Sequence, residues 1–203
     1  MNEKAFSQSP KKSSMEDYLT NERHGSQRNE YLDGRIIPCG GSNRWHNLLV
    51  SNTAVALGSR TPGNKSEIYI SNMRVKLKNG FICYPDVVVV AGEPTFTDQN
   101  ADMLLNPTVI VEIFSNQTNS TDKTQKLESY LAMDSIKEFA LLKEEEMRVE
   151  HYARQNAKQW IYRIYNERDD VMSLDSINLK VSLAEIYAQV KTKHAELSSK
   201  AVN

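Results

Sequence analysis

Long hydrophobic runs are missing from this 203-residue chain: no stretch of about 18 apolar residues occurs, so no membrane-spanning helix is expected. Residues 1 to 14 carry no apolar segment of the kind a secretory leader needs. Cysteine is scarce as well. Cys39 and Cys83 stand far apart, without CxxC or Cys/His spacing, which argues against a disulfide framework or a zinc knuckle and makes a cytoplasmic location the expectation. Charge of one sign is also lacking. With a formal net charge of −1 there is no whole-molecule positive field, so any phosphate-binding surface must be a local patch. The chain contains no internal repeat, no P-loop and no GxGxxG element. What is there is ordinary globular usage, 39% hydrophobic and 25% charged, enough for a single domain with its own core.

Residues 1–13 have no hydrophobic period and read as a mobile tail; 14–192 read as one domain and 193–203 as a polar C-terminal tail. Ser14 followed by Asp17 predicts a capped helix over about 15–22. Asp33-Gly34 between apolar-bearing segments predicts a hairpin. Ser42 is the expected cap of a longer helix, about 43–58, with a break at Pro62-Gly63. Met73, Val75 and Leu77 alternate with Arg74, Lys76 and Lys78, the pattern of a half-buried strand with a basic outer face. After the Asn79-Gly80 turn, Val87 to Val90 form a run too continuous for a one-sided strand, and so do the aliphatics around Glu112. A helix over 120–133 has Leu127, Tyr130 and Leu131 on its inner side. Strands at 136–143, 147–154 and 159–165 and a closing helix near 182–190 complete the reading. The expected fold is α+β: a mixed central β-sheet flanked by helices, with a C-terminal antiparallel meander.

Two of the buried strands each bring one acid. Asp86 stands at the mouth of the Val87 to Val90 strand and Glu112 late in the next. If these strands are neighbours, two carboxylates meet at one place on the sheet, a donor set suited to Mg²⁺ or Mn²⁺. Glu112, flanked by Val111 and Ile113, is costly to bury unless paired, metal-bound or at a strand end. Phosphodiester hydrolysis also wants a fixed cation, and chain order offers Lys126 on the following helix. Taken alone, Lys126 reads more readily as a solvated partner of Asp122, and the Pro85-Asp86 dipeptide more readily as a turn.

Read together, NEYLDGRI at 29–36, GGS before His46, MRVKL at 73–77, YPDVVVV at 84–90, LLNPTVIVEIFS at 104–115 and DKTQKLESY at 122–130 resemble the bacterial "putative restriction endonuclease" domain, a PD-(D/E)XK-type family. The resemblance runs from about Glu16 to Val190. It implies a restriction-endonuclease-like core, metal binding by Asp86 and Glu112, assistance from Lys126, and Glu30 as an additional acidic metal-site residue. The superfamily's lysine usually stands two residues after the acid; Phe114 stands there in this chain, and the cation moves to Lys126 on the helix. A Ser-Pro-Ser-Thr turn common in the family is replaced by Ser115-Asn116-Gln117-Thr118.

The leading expectation is therefore a Mg²⁺- or Mn²⁺-dependent endonuclease acting on DNA. Two rivals stay open. One is a catalytically weakened nuclease fold that binds nucleic acid or protein, favoured by the altered turn and the near-neutral charge. The other is a hydrolase of a small phosphorylated substrate. His46 reads as a half-buried packing residue and stays outside the catalytic set. The row Arg74, Lys76 and Lys78 suits a nucleic-acid backbone or plain solvent. Tyr152, Trp160, Tyr162 and Tyr165 alternate as core or a subunit interface would, compatible with a homodimer.

Overall fold

The computed structural model describes residues 12–61, 66–116 and 120–192. The tails at 1–11 and 193–203, the Pro62-Gly63 break and residues 117–119 of the altered turn lie outside the described residues. Among the described residues no helix is long and apolar enough to cross a membrane.

Helix α1 (Met15–His24) opens where Ser14 Oγ accepts the Asp17 backbone N–H at 3.0 Å. It buries Tyr18 and runs two residues beyond the expected span. Strands β1 (Asn29–Leu32) and β2 (Arg35–Pro38) form the expected hairpin. Both turn residues take positive φ, 48° at Asp33 and 84° at Gly34, as a two-residue hairpin turn demands. Gly34 is doubly constrained, because an added Cβ would stand 2.7 Å from Lys12 Cβ. Lys12 and Ser13, assigned to the tail by sequence, bond to this turn: Ser13 N–H donates to Gly34 O at 2.9 Å and Lys12 pairs with Asp33 at 2.8 Å.

Helix α2 (Arg44–Gly58) is capped by Asn43 and not by Ser42, which corrects the sequence expectation. The reason is reach: Asn43 Oδ1 accepts from both Trp45 N at 2.8 Å and His46 N at 3.1 Å. Strands β3 (Ser66–Ile70), β4 (Arg74–Lys76), β5 (Ile82–Cys83), β6 (Val87–Ala91), β7 (Met103–Leu104) and β8 (Val109–Phe114) follow, then helix α3 (Ser120–Leu131). The meander is β9 (Glu138–Lys143), β10 (Val149–Asn156) and β11 (Gln159–Tyr165). A further hairpin that the sequence reading missed, β12 (Val171–Leu174) and β13 (Leu179–Ser182), leads into α4 (Leu183–Ile186), shorter than expected.

The fold is α+β, built on two mixed sheets. The six-stranded sheet has order β11-β10-β9-β8-β6-β3 and the five-stranded sheet order β2-β1-β5-β4-β7. In the first, β8 and β9 are parallel and the other neighbours antiparallel, so the meander continues the central sheet. Helices α2 and α4 cover one face of the six-stranded sheet: Leu49, Leu57 and Ile186 pack with Val87, Val89, Val109 and Val111. Tyr130 and Met133 of the α3 region cover the other, with Val88, Ile110, Phe114 and Phe139. That double cover is why Val87 to Val90 and all six residues of β8 are buried.

The basic outer face expected of β4 is overturned at Arg74, which is 5% exposed and pairs with Asp102. β4 lies inside the five-stranded sheet, between β5 and β7, and its successive residues Arg74 and Val75, which face opposite sides, are both buried, so the strand is covered on both faces there. A buried guanidinium needs that carboxylate partner. Lys76 is half-buried, and Lys78, just past the strand, pairs with Asp134 at 3.0 Å.

Candidate active site

Strands β6 and β8 are antiparallel neighbours with Val87 opposite Val111. Extending that register by one residue sets Asp86 opposite Glu112. Alternation along both strands then puts these acids on the face that carries Val88, Val90, Ile110 and Phe114. The local geometry fixes Asp86: its Oδ2 accepts the backbone N–H of Ile113 at 2.8 Å, and its Oδ1 lies 3.2 Å from His46 Nε2.

Glu112 is 3% exposed. Helix α3 lies over it, and the four-residue spacing of Lys126 and Tyr130 aims both side chains at one oxygen. Lys126 Nζ stands 3.2 Å from Glu112 Oε1, and the Tyr130 hydroxyl donates to the same atom. Lys126 also reaches Glu30 Oε1 on β1 at 2.9 Å, so its ammonium bridges two carboxylates contributed by two different sheets. Lys123 points elsewhere, donating to Ser115 O at 3.2 Å.

These groups share one pocket of about 470 Å³, bordered by Glu30, His46, Asp86, Glu112, Lys126 and Glu144. The end of β2 and the Gly40-Gly41 loop that leads into α2 also line it. Burial pushes the Glu112 carboxyl up to about 7; Lys126 and the Tyr130 hydrogen bond oppose that rise, while Asp86 and Glu30 add to it. Burial alone would lower the Lys126 pKa, yet the charges of Glu112 and Glu30 hold it well above the usual lysine value. Burial also disfavours a charged His46 ring, but the hydrogen bond and charge of Asp86, with Glu144 and Glu112 behind it, raise its pKa overall. Cys39 borders the same pocket, its thiol pushed up to about 11 by burial; it and Cys83 are both free thiols.

Asp86 and Glu112 fit a small hard cation, being two carboxylates on one face of adjacent strands at the edge of a pocket. Glu30 lines the same pocket, and its Oε1, like that of Glu112, pairs with Lys126. Among the described residues no three or more His, Cys, Asp or Glu side chains form a ready-made metal cluster. A two-carboxylate set suits Mg²⁺, which keeps most of its shell for water and substrate oxygen.

Asp86, Glu112, Lys126 and Glu30, the residues named from the sequence, thus come together. Sequence reasoning missed His46, the Tyr130–Glu112 bond, and the link from Asn43 Nδ2 to Glu144 Oε1, which ties the start of α2 to the end of β9. For His46 a signal existed. Asn43 as cap sets His46 in the first turn of α2, directly after the glycine loop.

The architecture defines a restriction-endonuclease-like domain, and comparison with known proteins agrees. A profile of the Uma2 family, described as "Putative restriction endonuclease", matches residues 15–185, and the chain belongs to that family. It is similar to the uncharacterized protein sll1609 of Synechocystis sp., 34% identical over 146 residues, or 71% of this chain and 82% of that protein. It is also similar to slr1290 of the same organism, 25% identical over 178 residues, or 87% and 92% of the two chains. Its fold resembles the crystal structure of "a putative nuclease belonging to DUF820" from Anabaena variabilis, with a TM-score of 0.68, 19% identity and coverage of 80% of this chain and 91% of the other.

Proposed function

We propose that this chain is a metal-dependent deoxyribonuclease that hydrolyses DNA phosphodiester bonds at the Asp86–Glu112 pair. The observation that carries the reading is the bridge of Lys126 between Glu112 and Glu30, beside an Asp86 that shares the same sheet face and pocket. It unites two hard oxygen donors and one fixed cation where a phosphate can enter. Mg²⁺ or Mn²⁺ held by Asp86 and Glu112 would supply an activated water and charge stabilisation on the departing oxygen.

The protein's own groups prepare the rest. The Ile113 N–H fixes the Asp86 carboxylate, and Tyr130 fixes Glu112. Glu112 and Glu30 keep Lys126 charged and hold it at the pocket, so that its ammonium can neutralise charge developing on the attacked phosphate. Burial of Glu112 keeps bulk water from screening these interactions.

The test is incubation of the purified protein with supercoiled, linear and single-stranded DNA in Mg²⁺, Mn²⁺ or EDTA, beside an Asp86→Ala control. Cleavage that needs metal and disappears in Asp86→Ala is expected. Cleavage that persists in EDTA or in Asp86→Ala, or no cleavage of any substrate, overturns the reading.

A further inference from the structure

The carboxylate of Asp86 is held from two sides, and only one of the holders is backbone. Its Oδ2 takes the Ile113 N–H at 2.8 Å from β8; its Oδ1 faces His46 Nε2 at 3.2 Å from α2. His46 is itself held in place. Its backbone N–H is bonded by the Asn43 cap at 3.1 Å, and Asn43 Nδ2 donates to the buried Glu144. The ring is largely enclosed, with 17% of the side chain exposed, and Nδ1 is buried without a hydrogen-bond partner. A ring placed only for packing has no need to turn a nitrogen to a carboxylate in the pocket.

We infer that His46 is a positioning residue: its Nε2–H donates to Asp86 Oδ1 and, with the Ile113 N–H, fixes the plane of that carboxylate for metal binding. The inference rests on the metal-site reading above and names a residue that reading does not need. Each carboxylate oxygen has two acceptor sites, so one hydrogen bond on each leaves the other lone pairs for an ion. Outer partners of this kind typically change metal affinity by 10- to 100-fold when removed. Nε2 carries a proton in the charged ring and in the neutral tautomer that faces Asp86, so the role does not depend on the ring's charge.

Two amides of different reach test it. The Gln side chain can set its N–H₂ near the Nε2 position of His, whereas Asn stops near Nδ1. Binding of Mn²⁺ alone to the full chain, measured by calorimetry without DNA, should be within about threefold of wild type for His46→Gln and weakened by about tenfold or more for His46→Asn. Matched melting temperatures for the two variants separate this from a packing effect. Wild-type affinity in His46→Asn, or equal losses in both variants, overturns the inference alone. No Mn²⁺ binding by the wild type overturns the metal site and the inference together.

Discussion

Two glutamates are buried almost equally on neighbouring strands, and they live under different rules. Glu112 on β8 is 3% exposed and Glu138 on β9 is 2% exposed. The strands run parallel with Val109 beside Glu138 and Glu112 beside Leu141, so the two acids sit toward opposite ends of the pair. Glu138 is met by a turn: the backbone N–H groups of Asp175 and Ser176 donate to it at 2.9 and 3.2 Å, the Ser176 hydroxyl also donates, and His151 Nε2 stands 3.5 Å away. It does not line the pocket on which Glu112 opens. Glu112 instead receives one phenol and one lysine on a single oxygen, has a second acid opposite, opens on a pocket, and is pushed up to about 7. Burial alone therefore does not mark a site. A carboxylate bonded by neutral donors from one turn holds structure, and one pushed toward its neutral form beside another acid, a lysine and a pocket marks a candidate site.

The comparison can be broken at its structural end first. Glu138→Ala strands three donors beneath the β12–β13 connection and should cost about 3 kcal/mol in denaturant unfolding. A loss under about 1 kcal/mol would mean that the turn rearranges and that Glu138 holds little. At the other end, Lys126→Ala should lower DNA cleavage by roughly 10²-fold with the fold intact, as removal of one preorganised charge does. Lys123→Ala should be much milder, since that side chain is bonded to Ser115 O. Equal effects of the two substitutions would remove Lys126 from the site.

The smallest effect is one of pH. The carboxyl of Glu112 titrates near 7 in the fold, above its ordinary 4.5, so its contribution to stability is complete below the ordinary value and is lost as pH rises through about 7. Glu112→Gln cannot ionise, so its stability relative to wild type should improve between pH 5 and pH 8 in metal-free buffer. A gap that stays constant over that range contradicts the raised value.

What could be read from the sequence was local. The Asp33-Gly34 turn, the aliphatic runs around Asp86 and Glu112 and the four-residue spacing of Lys126 and Tyr130 each carry their meaning within about a dozen residues. What could not be read depends on distant partners. Arg74 looked like an exposed strand residue because Asp102, which buries it, lies 28 residues away. Ser42 is a residue type that caps well, and only the reach of Asn43 to Trp45, His46 and Glu144 in the fold gives Asn43 that place. His46 passed as packing because its partner lies 40 residues on, in another element. The β12–β13 hairpin escaped because Asp175 and Ser176, which shape its turn, are anchored by Glu138 from across the sheet.

The contrast between the two buried acids is tested most directly by Mn²⁺ binding at pH 8, where Glu112 is ionised, using Glu112→Gln and Glu138→Gln in the full chain. Gln at 138 keeps an acceptor for the turn, so both variants can be compared folded. Calorimetry should give Glu138→Gln the wild-type affinity and Glu112→Gln a loss of at least about tenfold. Undiminished binding in Glu112→Gln, or equal losses in both, would contradict the assignment of Glu112 as the site acid.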